Sequence, residues 1–313
     1  MSKKRARSRS DGPRELRGVL PVFQTPYNDD ESLDFGTLGH EIEWLYDEGA
    51  QGIVMAMVSE ILRLSSQERQ ELAEQACRFG RERGVVVISV GAESGHTAER
   101  FARQAQDVGA DALMAIPPVS IVPLEVEVLR YYERIIKAVD LPVIVQDASG
   151  YVGKPMPVAL QARILAEFGQ RVLFKPEGAP IGPRLSELLE ATRGRARIFE
   201  GSGGITLVDS YRRGIVGTMP GADLIEALVA LWRALEAGDD ERIYQLSLPI
   251  SNLVALQSGL DGFLAVEKYL LVKQGVFRNT IVRGPVAFTL DDQMRSEIDR
   301  LFELVQAAVW EES

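Results

Sequence analysis

Eight short apolar runs, separated by amphipathic segments, constrain the fold of this chain more than any other feature. The runs are rich in β-branched residues, which is typical of strands buried on both faces of a parallel sheet. Between two of them, residues 96–109 carry apolar side chains at the spacing of one helix face. The pattern predicts repeated strand–helix units. The runs cover 18–22, 52–57, 85–91, 112–118, 142–147, 172–177, 196–201 and 215–221.

Eight strands that are each followed by a helix predict an α/β fold of the (β/α)8 TIM barrel type over residues 18–222. A doubly wound dinucleotide-binding sheet is the weaker alternative, because no glycine-rich fingerprint follows the first run. Beyond residue 222 only helical patterns remain, so we predict a C-terminal helical extension over 223–313. Its helices are predicted at 224–236, 241–257, 262–274 and 291–310.

Charge is unevenly distributed along the chain. Residues 1–17 contain seven Lys and Arg against two acidic residues, whereas the net charge of the whole chain is −10. The segment predicts a disordered, dispensable basic tail. The acidic balance of the rest argues against a nucleic-acid partner, since such binding depends on Lys and Arg that neutralise phosphates.

No apolar run approaches the roughly 18 residues that a membrane span needs, and no secretory leader is apparent. One cysteine, Cys77, cannot form an internal disulfide, so we predict a cytoplasmic protein. The two histidines, His40 and His96, leave little for a zinc site or a histidine-dependent triad. No carboxylate spacing demands a metal. We therefore predict chemistry without a metal or a cofactor.

Lys175 is the strongest candidate for chemistry. It lies near the end of the sixth run, and barrels of this type carry their working residues at the carboxyl ends of the strands. A buried ammonium is costly unless it is paired or deprotonated, and a neutral lysine is the nucleophile of Schiff-base enzymes. A lysine that extends its charged end to solvent is the alternative on this local evidence.

The strand ends resemble, in order and spacing, the dihydrodipicolinate synthase and N-acetylneuraminate lyase family of Schiff-base barrel enzymes. The resemblance covers about residues 17–305. It implies that Lys175 forms the Schiff base, that Gly201 and Gly217 line the substrate, and that the protein is a homo-oligomer, often a tetramer. It rests on Gly18-Val-Leu-Pro-Val-Phe-Gln-Thr-Pro-Tyr27, the 52–60 window, Pro117-Pro118, Leu141-Pro142, Phe174-Lys175, Gly201 and Gly217.

The chain departs from the synthases of that family at several positions. Ala56-Met-Val-Ser-Glu60 stands where the family usually reads Gly-Thr-Thr-Gly-Glu, and Gln146 stands where a catalytic tyrosine is usual. The carboxylate-binding arginine of the synthases falls on or near Tyr151. These features are similar to the 2-keto-3-deoxyarabonate dehydratase branch, which also lacks the tyrosine. The shared residues are Ser59-Glu60, Val145-Gln146-Asp147-Ala148 and Phe174-Lys175 with Glu177.

The resemblance predicts a Schiff-base-forming lyase, a dehydratase or an aldolase, that acts on a 2-oxo acid such as a 2-keto-3-deoxy sugar acid. Lys175 is the predicted nucleophile, and Glu60 and Asp147 are the leading proton carriers, ahead of Glu177 and Tyr151. Two alternatives stay open: an enzyme that condenses pyruvate with an aldehyde, and a non-catalytic 2-oxo acid binding protein. The predicted substrate-binding residues are Ser59, Gln146, Tyr151, Glu177, Gly201 and Gly217.

Overall fold

Eight parallel strands form the centre of the computed structural model, which describes residues 14–310. Each strand lies inside one of the eight apolar runs, so the predicted strand positions are confirmed. The strands are β1 Gly18–Val19, β2 Gly52–Met55, β3 Val85–Ser89, β4 Ala112–Ala115, β5 Val143–Asp147, β6 Val172–Pro176, β7 Phe199–Glu200 and β8 Gly217–Thr218.

The strands follow one another in ring order. Strands β2 to β6 pair in sequence, and β8 pairs with both β1 and β7. Single parallel bridges join the two sets, between Val22 and Val54 on one side and between Phe174 and Ile198 on the other. All pairings around the ring are parallel. The architecture is the predicted (β/α)8 barrel.

A helix follows every strand, and local sequence explains several of the helix ends. Ser65 begins the second helix with a reciprocal cap: its hydroxyl accepts from the Glu68 amide at 3.2 Å, and the Glu68 carboxylate accepts from the Ser65 amide at 2.9 Å. Gly109 ends the third helix with a φ of 98°, which favours glycine. The helices are α1 Phe35–Asp47, α2 Ser66–Gly80, α3 Gly95–Val108, α4 Glu125–Ala138, α5 Val158–Phe168, α6 Ile181–Ala191, α7 Leu207–Arg212 and α8 Ile225–Ala237.

The strand phase decides which side chains enter the barrel. Alternate residues fill the interior, among them Ile144 on β5 and Leu173 on β6. Because successive side chains of a strand point to opposite faces, Gln146 and Lys175 also face the interior. Asp147 faces the helix layer instead. The interior set on the strands and their ends is Leu20, Val22, Val54, Ala56, Val85, Val87, Ala112, Met114, Ile144, Leu173, Phe199 and Met219.

Three helices follow the barrel: α9 Asp240–Val254, α10 Gly259–Lys273 and α11 Asp292–Trp310. Helix α8 contacts β1, so it completes the barrel. The predicted boundary at residue 222 assigns α8 to the extension, and this division of the chain stays a prediction. Helix α11 packs against α8 and α9. Of the helices in the described part of the chain, none is long and apolar enough to cross a membrane.

Residues 14–17 lie against the barrel, although the sequence predicts a free tail through residue 17. Leu16 is 4% exposed and belongs to the interior cluster, and its carbonyl accepts from Arg197 Nη2 at 2.9 Å. Arg14 donates to the carbonyls of Arg81 and Gly84. One leucine among many charges carries no periodic signal, which explains the difference. The rest of the predicted tail, residues 1–13, lies outside the described residues.

We expect Leu16→Ala to lower the free energy of unfolding by about 2 to 3 kcal/mol, as for other buried leucines. Urea denaturation followed by circular dichroism measures the change. Glu15→Ala, at an exposed neighbouring position, is the control and should stay within about 0.5 kcal/mol of the parent. Equal stability of the two variants would contradict the docked position of Leu16.

Candidate active site

Lys175 lies in a buried polar cluster at the carboxyl end of β6. Its Nζ is 2.9 Å from Glu177 Oε1, and the two side chains are 5% and 4% exposed. Gln146, the partner of Lys175 in the β5–β6 register, donates from Nε2 to Glu177 Oε2 at 2.6 Å. The barrel thus brings together three of the predicted site residues, with Glu177 between an amine and an amide.

Gly201 provides the space for this cluster. It follows β7 on the interior face, and a Cβ at this position would lie 2.7 Å from Lys175 Cε and 2.8 Å from Glu177 Oε1. Such approaches are closer than van der Waals contact allows. Gly201 therefore lies directly against Lys175 and Glu177, and its assignment to substrate binding stays a prediction.

Burial controls the electrostatics of the cluster. Burial raises the pKa of Glu177, and the charge of Glu200 adds to this effect, while Lys175 and the hydrogen bond from Gln146 act in the opposite direction. The net direction is upward. The Glu177 carboxylate therefore holds a proton more readily than an exposed glutamate does.

Two polar atoms at interior-facing strand positions lack a hydrogen-bond partner among the described residues. They are Gln146 Oε1 and Ser89 Oγ, and both are buried. Ser89 ends β3 on the same face as Val85 and Val87, so its hydroxyl points into the barrel. Since buried polar atoms are normally hydrogen-bonded, these two mark places where a polar ligand fits. Ser89 is missed by the sequence analysis, although a hydroxyl in the interior phase of a valine-rich strand is a usable signal.

Glu60 is predicted as a proton carrier, but hydrogen bonds from other parts of the chain occupy its carboxylate. Its Oε1 accepts from Lys268 Nζ at 2.5 Å, and its Oε2 accepts from the Arg283 amide at 3.2 Å. Both oxygens are engaged with the C-terminal part of the chain. The neighbouring Ser59 is engaged as well: its hydroxyl donates to the Phe23 carbonyl at 2.6 Å. These two residues hold loops together, and neither assignment to catalysis or to substrate binding is retained.

Asp147 also has a structural position. Its Oδ1 accepts from the Ser149 amide at 3.1 Å, and its Oδ2 accepts from the Met156 amide at 2.8 Å. It faces the helix layer, where Arg184 lies 3.6 Å away. The carboxylate orders the loop after β5, so its assignment as a proton carrier is not retained.

Gly217, a predicted substrate-binding residue, lies one layer below the site. It pairs with Phe199, two residues before Gly201. A Cβ at this position would lie 2.4 Å from the Gly18 carbonyl oxygen and 2.5 Å from the Phe199 ring. The glycine therefore permits close strand packing, and its assignment to substrate binding is not retained.

Tyr151 covers the mouth of the barrel as part of an apolar cluster. It packs with Met57, Ile116 and Ala148, and its ring meets that of Phe263 edge to face at 5.5 Å. Burial raises the pKa of Tyr151 well above its ordinary value, and the charge of Glu177 adds to the effect. Its hydroxyl is therefore a proton-bearing donor near the site rather than a base.

Residues 15–305 match the Dihydrodipicolinate synthetase family. The chain belongs to this family. It is 28% identical over 289 residues to L-2-keto-3-deoxyarabonate dehydratase of Azospirillum brasilense, with 88% of this chain and 90% of the relative covered. It is 26% identical to 4-hydroxy-tetrahydrodipicolinate synthase of Chelativorans sp. strain BNC1, with 91% and 96% covered.

Solved structures of the family share the fold of this chain. The crystal structure of dihydrodipicolinate synthase from Rhodopseudomonas palustris superposes with a TM-score of 0.84 at 24% identity, with 92% of this chain and 97% of that chain covered. Membership and fold agree with the resemblance found in the sequence. The chain is accordingly a lyase-family barrel, with both dehydratases and synthases among its relatives.

We expect Gly201→Ala to reduce reaction at Lys175 by about 10²-fold, because a methyl group would displace the amine from its position. The rate of borohydride trapping with pyruvate, followed by mass spectrometry, measures this reaction. Gly95→Ala, where the nearest atom is the flexible Arg134 Cδ at 3.3 Å, is the control. An unimpaired Gly201→Ala variant would show that the site does not need this space.

Proposed function

We propose that this chain is a Schiff-base-forming lyase of 2-oxo acids, in which Lys175 is the nucleophile and Glu177 is the proton carrier. The observation that carries the proposal is the 2.9 Å contact between Lys175 Nζ and Glu177 Oε1 inside the barrel mouth. A carboxylate at this distance is within hydrogen-bond reach of the nucleophile, which is the geometry of a general base.

The first half of the reaction forms the imine. Glu177 accepts a proton from the Lys175 ammonium, and the neutral amine attacks the C2 ketone of the substrate. Loss of water from the resulting carbinolamine leaves a protonated imine, which draws electrons from the bond between C3 and its hydrogen. Burial raises the pKa of Glu177, which favours the proton transfer that frees the amine.

The second half begins at C3. Before this step, Glu177 gives the proton that it accepted from Lys175 to the carbinolamine oxygen, which leaves as water. The Glu177 carboxylate then removes a proton from C3, which gives an enamine. Gln146 holds Glu177 in place through its Nε2, and its unpartnered Oε1 is available to a substrate hydroxyl. A glutamine cannot relay a proton at neutral pH, so orientation is its role. Ser89 Oγ offers a second hydrogen bond.

We favour dehydration of a 2-keto-3-deoxy sugar acid as the specific reaction. The Azospirillum relative carries the name of such a dehydratase, and Gln146 replaces the strand-five tyrosine that condensing members of the family use. Condensation of pyruvate with an aldehyde is the second candidate, supported by the relatives named as synthases. A non-catalytic binding protein has no need of the buried pair of Lys175 and Glu177. Assembly into a homo-oligomer, often a tetramer in the resembling family, stays a prediction.

We expect Glu177→Gln to slow exchange of the pyruvate methyl protons in D2O by about 10² to 10⁴-fold, since this exchange needs proton removal at C3. Proton NMR measures the exchange. Borohydride trapping on the peptide that contains Lys175 should become slower, because Glu177 also serves imine formation, but the peptide should still be labelled after long incubation. Lys175→Arg is the matched control and should lose both trapping and exchange, because a guanidinium stays protonated. Normal exchange in Glu177→Gln would assign the proton transfer to another group.

A substrate screen tests the reaction itself. We expect the protein to remove water from 2-keto-3-deoxy acids, including L-2-keto-3-deoxyarabonate, and to leave pyruvate and aldehydes uncondensed. Mass spectrometry distinguishes loss of water from formation of a carbon–carbon bond, and Lys175→Arg controls for spontaneous reaction. If the protein condensed pyruvate with an aldehyde and reacted with no keto-deoxy acid, it would be a synthase. This result would overturn the dehydratase assignment.

A further inference from the structure

A second carboxyl group reaches the mouth of the barrel from outside it. Helix α10 lies across the mouth: Leu264 belongs to the interior cluster, and Leu260 packs against the same cluster. Glu267 lies one turn further along this helix face and is 1% exposed. The C-terminal extension therefore presents an acid toward the interior of the barrel.

Gly221 makes room for this acid, much as Gly201 does for Lys175. A Cβ at residue 221 would lie 2.5 Å from both Cδ and Oε1 of Glu267. Gly221 is bridged to Val22 and shares the interior phase of Met219. The Glu267 carboxyl consequently occupies the side-chain space of an interior position at the end of β8.

The positions of Gly201 and Gly221 locate Glu267 relative to Lys175. The β7–β8 register pairs Glu200 with Thr218, so Gly201 is level with Met219 and Gly221 lies two residues further out. With a strand spacing of about 4.8 Å and a rise of about 3.3 Å per residue, the two glycines are about 8 Å apart. Glu267 therefore lies further out along the barrel than Lys175, on the side where C4 of a substrate that is joined to Lys175 at C2 and extends outward would lie.

The surroundings of Glu267 favour its protonated form. Gln24 Nε2 donates to Glu267 Oε2, and the Gln24 amide donates to Glu41 Oε1 at 2.8 Å. Asp223 is also buried and accepts from Gln257 Nε2 at 3.2 Å. The nearby Lys268 ammonium is engaged with Glu60. Burial raises the pKa of Glu267 well above its ordinary value, and the charges of Asp223 and Glu41 add to this effect, while the hydrogen bonds from Gln24 and from the Ala222 amide act in the opposite direction.

We propose that Glu267 is the general acid that protonates the hydroxyl group leaving from C4. This rests on the proposed function, because the step starts from the enamine at Lys175. The nitrogen lone pair re-forms the C2–N double bond, the C2–C3 π electrons form a C3–C4 double bond, and the C4–O bond breaks. Glu267 gives its proton to the departing oxygen, which leaves as water. Hydrolysis of the unsaturated imine then releases Lys175 and the 2-oxo product.

The proposal divides the proton transfers between two carboxyls. Glu177, beside the amine, serves C3, and Glu267, further out, serves the oxygen on C4. Exchange of pyruvate methyl protons needs only the first transfer, whereas loss of water needs both. A substrate whose leaving group departs as an anion needs no proton from Glu267. These differences separate a general acid from a residue that only supports the fold.

The test compares Glu267→Gln with the unchanged protein on three probes. We expect pyruvate exchange in D2O to be unchanged, and water loss from L-2-keto-3-deoxyarabonate to fall by about 10² to 10⁴-fold. Fluoride release from the corresponding 4-fluoro-2-oxo acid should be close to that of the unchanged protein. Glu226→Gln, which makes the same chemical change at an exposed position of α8, is the control and should retain all three reactions.

Several results would overturn the proposal. Unchanged water loss in Glu267→Gln would remove any role for this residue, and an equal fall for water and fluoride would give it a structural role. A parent protein that exchanges pyruvate protons but removes water from no 4-hydroxy-2-oxo acid would refute the acid role while the Schiff-base function stands. A parent protein that neither traps nor exchanges pyruvate would refute the proposed function itself.

Discussion

The buried ion pair between Lys268 and Glu60 joins the barrel to its C-terminal extension. Lys268 has no exposed surface, and its ammonium donates to Glu60 Oε1, to the Thr25 carbonyl at 2.8 Å and to the Ile281 carbonyl at 2.6 Å. Removal of one member of a buried pair leaves an uncompensated charge, which is strongly destabilising. This cluster therefore fixes helix α10 over the barrel mouth, and the position of every group on that helix depends on it.

Lys175 and Glu177 also form a buried ion pair, but this pair has fewer hydrogen-bond partners. Lys268 has three oxygen partners, whereas Lys175 has the single carboxylate of Glu177 among residues 14–310. The Oε1 of Gln146, which is bonded to the same carboxylate through Nε2, has no partner among these residues. A fully bonded cluster fixes structure, and an incompletely bonded one is open to a ligand. This difference in hydrogen bonding explains why Lys268 stabilises the fold, whereas Lys175 is the lysine that we propose to react.

The sequence predicted the strands, most helices and the position of Lys175, because these depend on apolar periodicity and on strand ends. It could not predict the direction of Asp147. Strand β5 is apolar on both faces, so its phase cannot be read from alternation, and Gln146 and Asp147 are equivalent until the fold is known. The surroundings of Glu60 could not be predicted for another reason, since its partners Lys268 and Arg283 are distant in sequence. Glu267 and Lys268 did carry a signal: they fall on the apolar stripe of α10, at helical spacing from Leu264 and Leu271.

The reacting groups of the proposed mechanism come from two separate parts of the chain. Lys175 lies at the end of β6 and Glu177 directly after it, whereas Glu267 comes from a helix beyond the barrel that is anchored by its own ion pair. Under the proposed mechanism, a replacement of Glu267 slows loss of the hydroxyl group from C4 and leaves the imine machinery intact. Imine formation and the departure of the leaving group can thus change independently of each other, because they depend on separate segments of the chain.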